Sequence, residues 1–131
     1  MASPAPANDL KTMLEDYRRA FDRKDAAACA AFFAEEATLR FLSGSYSGRP
    51  AIEEWHQDRF AADVSIVHLD EVIVEGDTVV AHAVASSRRL RLFRINQLKG
   101  TATFRVEQGR FVEASFSPRK GVLSHLDWQF R

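Results

Sequence analysis

The sequence offers no pair of cysteines. Cys29 stands alone, so no disulfide can form within the chain and the fold must rest on burial. No sign of charge is in excess: eighteen basic and eighteen acidic residues give a formal net charge of zero. Electrostatic capture of nucleic acid needs a surplus of Lys and Arg, so that class of partner is not expected. The same neutrality leaves nothing to repel a second copy, and a homodimer is expected. No apolar run approaches the roughly 20 residues of a membrane span. MASPAPAND lacks the apolar centre of a signal peptide. No membrane partner and a cytoplasmic location are therefore expected. Histidines 56, 68, 82 and 125 have no ligand spacing, so no metal is expected. Phosphate-binding glycine loops and the Gly-x-Ser-x-Gly elbow are also missing, and no cofactor is expected.

What remains is a chain of 131 residues, 46% of them hydrophobic. That is the size and apolar content of one domain, 1–131, with residues 1–7 expected as a flexible tail. Basic residues gather at Arg88, Arg89, Arg91, Arg94, Lys99, Arg105 and Arg110. Few stacking aromatics interleave them, so a solvated sheet face is expected rather than a nucleic-acid patch. Asn8 and Asp9 suit a helix cap, and Leu10, Met13, Leu14, Tyr17 and Phe21 then follow at helical spacing. Asp25 caps a second helix that buries Cys29, Ala30, Phe32 and Phe33. Ala37 to Leu42 predicts a strand, and SGSYSG a turn. Pro50 opens a third helix with Ile52, Trp55, His56 and Phe60 on its inner stripe. From Val64 the period becomes two. VSIVHLDEVIVE, the long TVVAHAVASSRRLRLF, GTATFRVE and RFVEASFSP predict four strands, with VLSHLDWQFR resuming the last. Helices first and antiparallel strands after make an α+β fold.

DYRRAFDRKD, FFAEEATLRF and the Gly-Arg-Pro-Ala-Ile helix start resemble the nuclear transport factor 2-like superfamily. Its members include ketosteroid isomerase, limonene epoxide hydrolase and SnoaL-like polyketide cyclases. The resemblance spans roughly residues 8 to 118. It implies a cystatin-like cone: three N-terminal helices in the concave face of a strongly curved mixed or antiparallel sheet, around one apolar pocket. Ketosteroid isomerase, a standard example of pKa tuning, uses an Asp base with a Tyr and a protonated Asp as oxyanion hole. Tyr17 matches the oxyanion tyrosine. The base falls at Phe41 and the second acid at Ala102. Neither can take or give a proton, so steroid-isomerase chemistry is disfavoured. For the Asp-Arg-Asp cluster of epoxide hydrolases, Asp70, Arg88 and Asp127 match by residue type only.

Strand alternation extends the list. If Phe41 and Ala102 face the pocket, so do Leu39, Val80, His82, Val84, Ser86, Arg88, Leu98, Gly100, Phe104, Val112, Ala114 and Phe116. Phe33 and Trp55 complete the expected wall. Val79, Ala81, Thr101, Thr103 and Phe111 then fall on the convex face, where a dimer would form. His82 is the lone titratable group on the pocket face. Two readings are open: a general base working with Tyr17 as oxyanion donor, or a core histidine bonded to Tyr17 or to backbone. His56, one turn after Ile52, either enters the pocket or edges the core, and the edge is preferred. Cys29, with no basic neighbour to stabilise a thiolate, is read as a small buried hydrophobe. Two functions follow. One is a SnoaL-like, cofactor-free isomerase, cyclase or dehydratase acting on an apolar molecule. The other is a binding or interaction domain of the same fold that has lost its acids.

Overall fold

The computed structural model describes residues 7–42, 44–94 and 97–118. Helix α1 (Ala7–Asp22) carries its apolar stripe inward through Leu10, Leu14, Tyr17 and Phe21. Helix α2 (Ala26–Ala31) begins where Asp25 accepts a hydrogen bond from the Ala28 N–H, satisfying one of the orphan donors of a helix start. Strand β1 (Phe33–Phe41) and strand β2 (Gly44–Ser47) form an antiparallel pair, with Leu39 opposite Tyr46. Gly48 follows at φ 91°, a value that favours glycine, and Pro50 then sits in the first turn of α3 (Arg49–Ala61). Strand β3 (Ser65–Glu75) and strand β4 (Thr78–Ser86) make a hairpin across the turn at Gly76. The short helix α4 (Arg88–Leu92) precedes β5 (Leu98–Glu107) and β6 (Arg110–Pro118).

The six strands form one sheet in the order β2-β1-β6-β5-β4-β3. Only β1 and β6 run parallel; the other neighbours are antiparallel. The α+β class and the helix-filled cone are as expected, with four differences. SGSYSG supplies a strand, β2, because its backbone pairs with β1 rather than turning freely. Phe33 starts β1 instead of ending α2. Its carbonyl is held by Nε and Nη2 of Arg49 at 3.1 and 2.8 Å. The long strand from Thr78 stops at Ser86, since the Ser87 hydroxyl caps the Leu90 N–H and starts α4. Arg88 therefore lies exposed on a helix, not on a pocket strand. The expected strand resumption after Pro118, with His125 and Asp127, lies outside the described residues, as does most of the expected N-terminal tail.

The fourth difference is one of parity. Directly opposed residues of an antiparallel pair share a face. Val79 pairs with Phe104 and Ala81 with Ala102, and Val79, Ala81 and Phe104 are buried in the core. The concave face of β4 is thus Val79 and Ala81. Val80 and His82 lie on the other face, opposite Thr103 and Thr101. A one-residue offset exchanges every side chain between faces. On β6 a bulge does the same. Arg105 pairs with Glu113 but Val106 with Phe111, leaving Val112 as the extra residue. Phe111 and Ala114 both face the core as a result, and Phe111 is fully buried instead of convex.

Candidate functional site

The centre of the cone is occupied by a tyrosine and a histidine bonded to each other. Tyr17 comes from the inner stripe of α1 and His56 from that of α3; they are 2% and 0% exposed. His56 Nδ1 lies 2.7 Å from the Ile52 carbonyl, one helical turn back. A carbonyl only accepts, so Nδ1 carries the proton and Nε2 presents a lone pair. The Tyr17 hydroxyl donates to that lone pair at 2.6 Å. Burial pushes the His56 pKa down to about 4, keeping the ring neutral. Burial also raises the Tyr17 phenol well above its usual value, with Cys29 adding to it. Five phenylalanines, at 21, 32, 33, 104 and 111, surround Tyr17 with ring centres 5.5 to 6.2 Å away. The pair is neutral, fully bonded and packed in by rings.

Toward the open end the wall becomes half-exposed. Trp55 stacks on Phe116 at 5.2 Å and 10° and meets Phe41 edge-on at 5.4 Å. Phe41 and Phe116 are paired across β1 and β6. Both are partly accessible, as is Ala102 opposite Phe116. One turn after Trp55, the Arg59 guanidinium lies 5.0 Å from the Phe41 ring and 5.3 Å from that of Trp55. Among the described residues the buried Trp55 Nε1–H has no hydrogen-bond partner.

Phe33, Leu39, Phe104 and Ala114 are in the core as expected, and Phe41, Ala102 and Phe116 pack at its edge. His82 is half-buried on the face away from Val79 and Ala81. Its Nδ1 is 3.1 Å from the Thr101 hydroxyl. The structure does not bring it together with Tyr17. Val80 shares its face. Val84 is buried but outside the main core cluster. Asp70 pairs with His68 on the exposed edge strand β3, far in register from the exposed Arg88. The Cys29 thiol, pushed up to about 12 chiefly by burial, is no nucleophile. His56 is the residue that sequence reasoning misplaced. Its inner-stripe spacing with Ile52 and Trp55 was the available signal. Among the described residues no cluster of His, Cys, Asp and Glu could hold a metal, and no helix is long and apolar enough to cross a membrane.

A groove of about 470 Å³ runs between α1 and β3, lined by Lys11, Leu14, Arg18, Leu69 and Val72 among others. A second, more open one of about 740 Å³ follows the acidic outer side of α3. Neither borders Tyr17 or Trp55.

The same cone recurs in solved structures. A proposed polyketide cyclase of Sinorhizobium meliloti is 24% identical with a TM-score of 0.73, covering 86% of this chain and all of that one. A second proposed polyketide cyclase, from Xanthomonas campestris pv. campestris, is 22% identical with a TM-score of 0.70 over 83% of this chain and 89% of its own. SalBIII, an epoxide hydrolase/cyclase-like enzyme of pyran ring formation in salinomycin, is 19% identical with a TM-score of 0.74, over 86% and 92%. At these identities the likeness shows the fold alone. No curated protein matches the sequence. The family model of the SnoaL-like domain matches residues 14–114, from the middle of α1 to Ala114 at the concave wall of β6. By that match, and by the cone that those residues build around Tyr17 and His56, the chain belongs to the SnoaL-like domain family.

Proposed function

We propose that this SnoaL-like protein binds an apolar, ring-bearing small molecule at the Phe41–Trp55–Phe116 wall, without a cofactor. The observation that carries the reading is the wall itself: Trp55 in ring contact with both Phe41 and Phe116, the latter two half-accessible. An apolar platform of this kind is what flat ligands stack on. Relatives described as polyketide cyclases are consistent with a ring-bearing ligand. A saturable titration with 1-naphthalenemethanol, a neutral flat probe, tests it. Phe41→Ala and Phe116→Ala should each weaken binding about tenfold, the scale of losing a buried aromatic contact. No saturable binding by the unmodified protein would refute the reading.

Binding without turnover is favoured over proton-transfer catalysis by one contact. The only proton of the Tyr17 hydroxyl is committed to His56, so an enolate oxygen would have to displace that bond to use it. An isomerase, cyclase or dehydratase would need Tyr17 to leave His56, and His82 to act from the opposite face of β4. A homodimer is also part of the proposal, seated on the half-buried outer face that carries Val80, His82, Thr101 and Thr103. Zero net charge does not oppose pairing. Light scattering at micromolar concentration should give twice the 14.8 kDa chain mass; a monomer mass removes this part.

A further inference from the structure

We infer that the ligand of the aromatic wall carries an anionic oxygen, a carboxylate, phenolate or enolate on a flat apolar body, and that Arg59 and the Trp55 N–H recognise it. The inference rests on the proposed binding role of that wall.

Arg59 is the first part of the argument. Its guanidinium is held over Phe41 and Trp55 at 5.0 and 5.3 Å, yet among the described residues it makes no ion pair and no hydrogen bond. Arg18, Arg19, Arg91 and Arg105 each pair with an acid; what sets Arg59 apart from the other arginines without an acid is its place against two aromatic rings. The acids of its own helix, Glu53, Glu54 and Asp58, line the outer groove with Glu35 and Arg49 instead. Five rigid N–H donors are therefore presented beside an apolar wall, the arrangement that suits a carboxylate or other oxyanion.

Trp55 is the second part. It is 4% exposed, and a buried indole N–H ordinarily finds an acceptor. Among the described residues this one has none. The N–H is covered by its neighbours, so an acceptor arriving with the ligand would satisfy it where the partly accessible Phe41 and Phe116 rings give way. The third part is charge: a guanidinium packs on the Phe41 ring, which favours an anionic ligand there and disfavours a cationic one.

Paired probes separate this from the general binding reading. Calorimetric titration compares 1-naphthoate with the neutral 1-naphthalenemethanol, at low and at moderate salt. The unmodified protein should bind the carboxylate about tenfold more tightly, as a charge-assisted hydrogen bond provides. Arg59→Met, which keeps much of the side-chain volume, should reduce that preference to about twofold or less, whatever the affinity of the neutral probe itself. Arg59→Lys should retain part of the preference, and Trp55→Phe should weaken the carboxylate more than the alcohol. Equal affinities in the unmodified protein, or a preference that survives Arg59→Met, would overturn the inference and leave the wall as a neutral binding site. If neither probe binds, both readings fall together.

Discussion

His56 stays neutral inside the protein because its ring is shut away from water, and this has a consequence for stability. The unfolded side chain takes up a proton near pH 6.5; the folded one does so only near 4. Between those values the unfolded state binds more protons, so stability falls as pH drops through that window and is fully present above it. The loss should reach roughly 3 kcal/mol at pH 4, where the folded ring is itself half protonated. Denaturant titrations at pH 7 and 4.5 check this; His56→Gln should show a shallower pH slope. An unchanged slope would mean that another group governs acid sensitivity. The residues at the core were partly legible. Tyr17 announces itself by its place in an apolar helical stripe. Its partner does not, because His56 is 39 positions away and no local pattern links the two. His82 is assigned to the pocket by alternation alone, and alternation is silent about which face is inside; the pairing of β4 with β5 turns it outward.

The elements show why. In β5 the pattern Thr-Ala-Thr-Phe-Arg-Val places apolar groups on one side only, so its inner face is plain from the sequence. In β4 the run Val79-Val80-Ala81-His82-Ala83-Val84 is apolar on both sides, and either face can be turned inward. Pairing with β5 decides the matter, and pairing is a tertiary fact. The bulge at Val112 is hidden for the same reason: two residues of β6 opposing one of β5 have no sequence marker beyond the turn at Gly109. The bulge makes an opposite prediction to simple alternation. Phe111→Ala should cost about 3–5 kcal/mol, as for a large buried ring, while Val112→Ala should cost about 1 kcal/mol or less. Chemical unfolding of the two variants distinguishes them; equal costs would mean that the face of β6 is misassigned. Helix starts were easier to read, since Asp25 and Pro50 act within a single turn.

For the molecule as a whole, the cone carries no carboxylate at the two positions that resemble the acids of an isomerase. Phe41 packs edge-on against Trp55 and Ala102 lies opposite Ala81, so no carboxylate stands at either matching position. Turnover of a 3-keto-Δ5 steroid should be undetectable by absorbance of the conjugated product. Clear turnover would show that another base serves. The parallel seam between β1 and β6 carries a different kind of consequence. It joins Phe33 to Phe111 and Phe41 to Phe116 in the centre of the sheet, and the Phe111 N–H also bonds the Phe32 carbonyl. A ribosome making this chain must therefore deliver nearly all the described residues before the middle of the sheet can close. Until then the rings meant to enclose Tyr17 lack Phe111 and stay open to water. Closing so long a loop is entropically slow compared with local helix formation. During synthesis the first helices and β1 are thus the segment that a chaperone has reason to hold, and the arrival of β6 is the event that releases them.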